Sequence, residues 1–272
     1  MRQQIVEHIT PSGSVAAWWL GQAGFILKSP EGAVVALDPY LTNSCKAVGD
    51  QVGFNMDRMV PPPLSPPELA GLINAYAITH SHQDHLDPQT LAGYRAAGGS
   101  GPYFAPAETA QRLAALGVPA GEVRLMWPNK CERVGDITLR ATFAIPLGGD
   151  DLTHVGYLAF VEGGPTVYFT GDTAYHDVLA AAAVEHKPDV LVTVINGAFR
   201  NMGPAEAAKL ARQLDVKVVI PCHHDLFPDN CQPPQMLETN LKLEGIGDRY
   251  RLLEHGKTCV LDKRAMRGAA NS

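Results

Sequence analysis

Four side chains able to bind a metal ion fall within six consecutive positions of this 272-residue chain. They are His80, His82, Asp84 and His85, and they follow an apolar run at 75–78 that is predicted to be a buried strand. A short loop after such a strand can direct several side chains to one point. Imidazole and carboxylate together favour zinc, manganese or iron over calcium. We therefore predict a metal centre here, rather than a surface loop that happens to be rich in histidine.

Two other predicted strands also end at ionisable residues. Asp172 follows an apolar strand at 166–169, and His223, His224 and Asp225 follow another at 217–220. Functional groups gather at strand ends, where loops meet on a rigid scaffold. We predict that Asp172 binds metal and can bridge two ions. The alternative is that Asp172 caps the helix that follows it.

The adjacent histidines, His223 and His224, cannot both face the metal if the strand continues through them. We predict that one of the two is a metal ligand. The other would contact the substrate or support a ligand. Asp225 could orient one of the two rings, since ligating histidines usually donate their second N–H to an acceptor.

Three further residues are candidates for binding the substrate: His154, Arg200 and Asn201. His154 is a displaced metal ligand, a substrate-binding group or a plain loop residue, and the sequence leaves this open. Arg200 and Asn201 follow a strand end, where they would hold a carboxylate or phosphate. A solvated loop is the alternative for both.

The order of the predicted elements indicates the fold class. Two strand-rich halves carry inserted helices, with helices predicted at 89–97, 108–116, 174–185 and 204–214. This pattern favours an α/β fold in which two mixed sheets lie face to face and helices cover the outer faces. No linker is evident, so we predict one domain, 1–272.

The composition indicates which classes of partner this chain can bind. The net charge is −6 and no basic run is present, which argues against binding to nucleic acid. No apolar stretch approaches the length of a membrane span or of a signal peptide. Five scattered cysteines without a CxxC pair are typical of a reduced, cytoplasmic protein. Whether identical chains form a homo-oligomer stays open.

The motif His80-x-His82-x-Asp84-His85 resembles the signature of the metallo-β-lactamase superfamily. The 171–173 stretch resembles its bridging-carboxylate motif, and His223 its last histidine ligand. The resemblance thus implies that His223 is the ligand and leaves the catalytic role to His224. The resemblance implies an αββα sandwich with the metal site along one edge of the sheets. Within the superfamily, the stretches 18–21, 77–85, 167–172 and 217–225 are most similar to the L-ascorbate-6-phosphate lactonase group. One departure is the 144–151 region, where many members carry a further histidine and this chain has none.

These observations predict a metal-dependent hydrolase that opens a small, polar or anionic, ascorbate-type lactone. One or two divalent ions, manganese or zinc, would lower the pKa of bound water from 15.7 to about 7, so that hydroxide attacks the carbonyl. Asp84 would ligate the metal or accept the proton of that water. The alternatives are a rearrangement of an ascorbate-derived compound, a phosphodiesterase or nuclease of the same fold, and a non-catalytic metal-binding module.

Overall fold

The computed structural model describes residues 1–146 and 151–268. The predicted domain, 1–272, also includes residues 147–150 and 269–272, which lie outside the described residues. The strands are β1 (Ser14–Gly21), β2 (Gly24–Lys28), β3 (Val34–Leu37), β4 (Ala75–Ala77), β5 (Tyr103–Ala105), β6 (Val123–Leu125), β7 (Cys131–Val134), β8 (Ile137–Phe143), β9 (Val155–Val161), β10 (Thr166–Phe169), β11 (Val190–Val194), β12 (Val218–Cys222) and β13 (Thr258–Asp262). The α-helices are α1 (Arg2–Glu7), α2 (Cys45–Val52), α3 (Pro88–Ala96), α4 (Ala107–Ala115), α5 (Asp177–Ala183), α6 (Pro204–Leu214), α7 (Gln235–Leu243) and α8 (Lys263–Gly268).

The strands form two mixed sheets, as predicted. The first has the order β13-β1-β2-β3-β4-β5-β6, and the second has the order β12-β11-β10-β9-β8-β7. In each sheet a parallel part adjoins an antiparallel part: β3 to β6 are parallel in the first, and β10 to β12 in the second. The predicted fold class is confirmed.

Strand β1 shows why both faces of the first sheet are apolar. All eight of its residues are buried, and successive side chains alternate between two clusters because a strand has a period of two. Trp19 packs in the cluster that contains residues of both sheets. Trp18 packs on the other face, with Leu91 of α3 and Leu113 of α4. The sheet is thus covered on one side by the second sheet and on the other by helices.

The ends of the central strands meet at one edge of the two sheets. The amide of Asp38, just after β3, donates to the carbonyl of Ala77 at the end of β4 (3.0 Å), and the amide of Val155 in β9 donates to the carbonyl of Thr79 (3.0 Å). The second bond joins the loop after β4, in the first sheet, to a strand of the second sheet. The histidine-rich loop is therefore held against the strand ends of both sheets.

Helix α6 coincides with the prediction for 204–214, whereas α5 is shorter than the predicted 174–185. Helix α5 begins at Asp177 because the side chain of His176 accepts the amide of Val178 and caps it. The alternative that Asp172 caps this helix is wrong. No helix among the described residues has the length and apolar character required to cross a membrane.

Candidate metal centre

The loop after β4 folds back on itself and brings its side chains together. The amides of His85 and Leu86 both donate to the carbonyl of His82, at 3.0 and 2.8 Å. His80 and His85 are fully buried, whereas Asp84 retains 18% of its side-chain exposure. The loop therefore presents its ligands to a site that is closed on the protein side and open on the other.

Three sets of side chains among the described residues lie close enough together to hold a metal ion, and two of these sets have no residue in common. The first, which we call the histidine group, comprises His80, His82 and His154. In it His80 Nε2 lies 2.9 Å from His82 Nδ1, and the rings of His80 and His154 have centroids 3.9 Å apart. The structure thus places His154 where the displaced-ligand alternative requires it.

The second group, which we call the carboxylate group, comprises Asp84, His85 and His223. Here His223 Nε2 lies 3.2 Å from Asp84 Oδ2, and His85 Nε2 lies 3.6 Å from the same oxygen. His223 has the position predicted for a ligand. The six predicted metal-binding residues and His154 all lie at this edge of the sheets.

The carboxylate of Asp172 lies near ligands of both groups. Its Oδ1 lies 3.3 Å from His85 Nε2 and its Oδ2 lies 3.4 Å from His223 Nε2. It also forms a possible ligand set with His80 and His85. Gly171 permits this approach, because it has a φ of +61° and a Cβ there would lie 2.8 Å from the carbonyl oxygen of Val155.

The unpaired atoms of the site fit a metal ion. His85 Nε2, His154 Nε2 and Asp172 Oδ1 are buried and have no hydrogen-bond partner. Buried polar atoms without a partner are rare because each costs free energy. A metal ion between them would supply the missing interaction. Nitrogen and oxygen ligands without sulfur suit zinc, manganese and iron, so the donor set fits a divalent metal without distinguishing manganese from zinc.

Asp38 orients His85, and the sequence analysis did not identify it. One carboxylate oxygen accepts from His85 Nδ1 at 2.8 Å, and the other accepts from the amide of Thr79 at 2.8 Å. This leaves His85 Nε2 directed at the site, the arrangement usual for metal-binding histidines. The only signal in the sequence is an aspartate at the end of a buried strand.

Gln22 forms hydrogen bonds to two members of the carboxylate group. Its side-chain amide donates to Asp84 Oδ2 at 2.9 Å, and its backbone carbonyl accepts from the amide of His223 at 2.9 Å. Gln22, Asp38 and His223 all have a positive φ, of 51°, 41° and 59°. Such backbone strain costs about 1–3 kcal/mol per residue and is retained mainly at functional sites.

The two groups differ in their electrostatics. Burial lowers the pKa of His80 and His154 below the usual value for histidine, and the neighbouring rings lower that of His80 further. Burial acts in the same direction on His85 and His223, but Asp172 and the other carboxylates outweigh it. The pKa of His85 is raised well above its usual value and that of His223 is raised to about 9.

His224 turns away from the site. Because His223 has a left-handed backbone, strand β12 ends at Cys222, and the ring of His224 packs on Trp19 with a centroid distance of 4.6 Å. Its Nδ1 lies 2.8 Å from Asp225 Oδ2, as expected if Asp225 orients this ring. His224 is 1% exposed and does not line the cavity described next. This placement does not support substrate contact by His224, and leaves the alternative of supporting a ligand.

A cavity of about 590 Å³ opens above the ligands. All three substrate candidates, His154, Arg200 and Asn201, line it, and Asn201 Nδ2 donates to Asp172 Oδ2 at 2.6 Å. Three further polar side chains of the wall were not predicted: Gln83, Arg112 and Asn230. Arg112 belongs to α4 and is distant in sequence from all the metal-binding residues. The remaining wall is mainly apolar and includes Val48, Met56, Ile145, Phe199 and Phe227.

Known proteins resemble this chain along most of its length. The family model of the beta-lactamase superfamily domain matches residues 17–223. A metal-dependent hydrolase of Myxococcus xanthus is 31% identical over 241 residues, which cover 85% of this chain and 77% of that protein. A probable L-ascorbate-6-phosphate lactonase, UlaG, of Shigella boydii is 26% identical over 281 residues, covering 90% of this chain and 79% of that protein.

Solved structures show the same fold at lower identity. A possible metal-dependent hydrolase from Veillonella parvula superposes with a TM-score of 0.73 at 21% identity, covering 92% of this chain and 99% of that one. Igni18, a metallo hydrolase of Ignicoccus hospitalis, superposes with a TM-score of 0.70 at 20% identity, covering 91% and 98%. Sequence motifs, sheet order and relatives agree: this chain belongs to the metallo-β-lactamase superfamily, in the UlaG-like group of metal-dependent hydrolases.

Proposed function

We propose that this hydrolase opens a small anionic lactone, of the sugar-acid type to which ascorbate belongs. The observation that carries the proposal is the set of possible metal ligands near Asp172 at the floor of a cavity of about 590 Å³, with Arg200 and Asn201 on its wall. A cavity of this size suits a small molecule. The similarity to a probable L-ascorbate-6-phosphate lactonase supports the substrate class.

Hydrolysis of a lactone requires water to add to the carbonyl carbon and the ring C–O bond to break, so that the product is a hydroxy acid. A bound divalent metal lowers the pKa of water from 15.7 to about 7 and so supplies a nucleophile at neutral pH. The residues hold the ligand set rigid: Asn201 fixes Asp172, and Gln22 fixes Asp84. This preorganisation spares the enzyme rearrangement during the reaction.

Asp84 fits a ligand better than a proton acceptor. Burial would raise the pKa of its carboxyl, but His85 and His223 hold that pKa well below its usual value. An efficient general base has a pKa near the working pH. A carboxylate with a strongly lowered pKa holds a proton poorly, whereas it remains available to a cation.

The test is a substrate panel with the metal-loaded protein. We expect turnover of sugar-acid lactones, including L-ascorbate 6-phosphate, and weaker or no turnover of nucleotide phosphodiesters. Asp172→Ala serves as the control for contaminating hydrolases. Turnover of phosphodiesters alone would make the phosphodiesterase alternative correct. Protein purified without chelator that neither contains nor takes up manganese, zinc or iron would favour the non-catalytic module.

The partners remain part of the proposal. The net charge of −6 argues against nucleic acid and membrane surfaces as partners. A cytoplasmic location and the oligomeric state stay predictions.

A further inference from the structure

Arg112 is a charged side chain on the cavity wall that the metal ligands do not employ. It lies in the last turn of α4, is half-buried, and lines the cavity together with His82 and His154. Its Nη1 donates to the backbone carbonyl of Ser81 at 2.8 Å. This bond anchors the guanidinium beside the ligand loop.

Among the described residues no carboxylate forms an ion pair with Arg112, whose bond goes to a backbone carbonyl. Glu108, one helical turn earlier, instead accepts the amide of Leu152 at 2.6 Å. Asp151 accepts the amide of Ser81 at 2.7 Å and that of Thr153 at 2.9 Å. The nearby acids are therefore engaged elsewhere, although pairing within one turn of a helix would have been available to Arg112.

The acids that line the cavity are engaged as well. Asp84 accepts from Gln22, and Asp172 accepts from Asn201. A guanidinium has five N–H donors in a planar fork, and the single bond to Ser81 uses one of them. A half-buried arginine with donors to spare on the wall of a cavity matches a planar carboxylate or a phosphate, which arginine binds through two parallel bonds.

We propose that Arg112 forms an anion-binding subsite that holds an acidic group of the substrate apart from the metal centre. The substrate class is then a lactone or ester whose carbonyl lies at the metals and whose carboxylate or phosphate lies on Arg112. The inference rests on the proposed function only in taking this cavity as the substrate site. Hydrolysis of such a compound produces a new carboxylate, so the product carries two anionic groups, one at the metal site and one at Arg112.

Product-like dianions test the subsite without any turnover. The metal-loaded protein is titrated by calorimetry with α,ω-dicarboxylates of increasing length and with monocarboxylates of matched length. We expect the dicarboxylates to bind more tightly, with an optimum length. Arg112→Gln should remove that advantage, weakening the dicarboxylates by roughly 10- to 100-fold, as for the loss of a hydrogen bond to a charged group, and leaving the monocarboxylates unchanged. Phosphonocarboxylates in the same series distinguish a phosphate subsite from a carboxylate subsite.

Two further variants separate this role from a structural one. Arg112→Lys keeps the charge without the fork and should retain part of the advantage. Arg124→Gln removes an arginine that bonds to the carbonyl of Gly121 away from the cavity, and should have no effect.

The proposal is overturned if wild-type protein binds both series equally, or if both Arg112 variants weaken both series together with metal content. The second result would make Arg112 only a tie between α4 and the ligand loop. Failure to open any lactone, with the dicarboxylate advantage intact, would instead reject the lactonase proposal alone.

Discussion

The histidine group and the carboxylate group both lie near Asp172 but differ in how they are prepared for a metal ion. In the histidine group, burial lowers the pKa of His80 and His154, so that the rings are neutral at pH 7. In the carboxylate group, the carboxylates overcome burial and raise the pKa of His85 and His223. The first group is ready to bind, whereas the second must release protons.

The difference shows that neighbouring carboxylates make metal binding compete with protonation of the histidines. Metal ligands have to be deprotonated, and metal binding therefore competes with protons. Without metal, the protonated imidazoles of His85 and His223 balance the charges of Asp84 and Asp172. The carboxylate group is thus stable in the metal-free protein, and its affinity for metal depends more on pH than that of the histidine group.

The largest effect is expected from Asp172, which lies near ligands of both groups. Asp172→Ala should lower metal content and reduce activity at least about 100-fold, the scale seen when one charge-stabilising group is removed from an active site. Bound metal per chain and rate are measured together. Asp177→Ala, which removes a nearby exposed acid of α5, is the control. A variant at Asp172 with full metal and full rate would remove the basis for treating the two groups as one centre.

One histidine from each group tests whether the groups bind separately. His154→Ala should lose the ion of the histidine group, and His223→Ala that of the carboxylate group, each variant keeping the ion of the other group. His224→Ala should keep its metal and lose less activity than His223→Ala, because its ring packs on Trp19 and away from the cavity. If His224→Ala removes metal and His223→Ala does not, the assignment of the two adjacent histidines is reversed.

Asp38→Asn should weaken metal binding at the carboxylate group alone. The substitution leaves the size of the side chain unchanged but weakens the bond that orients His85, and such changes typically cost 10–100-fold in affinity. The metal affinity of each group is measured by competition with a chelator. Asp136→Asn is a matched control, since Asp136 is also a buried carboxylate and bonds to Ser29. Equal loss from both groups would contradict the comparison.

The smallest expected effect is the pH dependence of the metal-free protein. Because the pKa of His223 is raised from 6.5 to about 9, its contribution to stability is fully present below pH 6.5 and is lost as the pH rises through about 9. Asp84 and Asp172 have lowered pKa values, so their contribution is present above pH 3.8 and is lost as the pH falls further.

Thermal unfolding of metal-free protein should therefore show its highest melting temperature between these limits. The melting temperature should decrease from pH 6.5 to 9, by about 2–4 °C for each kcal/mol lost in a chain of this size. His223→Asn should flatten the alkaline side. An alkaline profile that is flat in the wild-type protein would show that the carboxylate group is not protonated as described.

Local patterns predicted the elements whose signals lie in adjacent residues. Helix α6 begins at Pro204 and ends at Leu214 as predicted, because a proline in the first turn and an amphipathic period are local features. Helices α2 and α7 were not predicted. Strand β13 was not predicted either, since it is stabilised by pairing with β1, whose Ser14 lies opposite Asp262 near the other end of the chain.

The candidate site divides in the same way. The six predicted ligands could be chosen from sequence because each follows an apolar strand. Asp38 also follows an apolar strand, but no motif in the adjacent residues indicates that it contacts His85, which is 47 residues away. Arg112 could not be chosen from sequence, because its bond to Ser81 spans 31 residues and an arginine in the last turn of a helix is an ordinary surface feature. His154 was left open between three roles, and the structure brings its ring to His80.

The sequence by itself determined which side chains can bind metal and that they lie at strand ends, because the period of a strand and the turn after it are set by neighbouring residues. Only the tertiary structure decided how those side chains divide into two groups around Asp172, that His223 rather than His224 faces the site, and that Arg112 reaches the cavity. The physical reason is that these arrangements depend on the pairing of two sheets and on a left-handed residue after β12. Contacts between distant segments set both, and no local pattern encodes them.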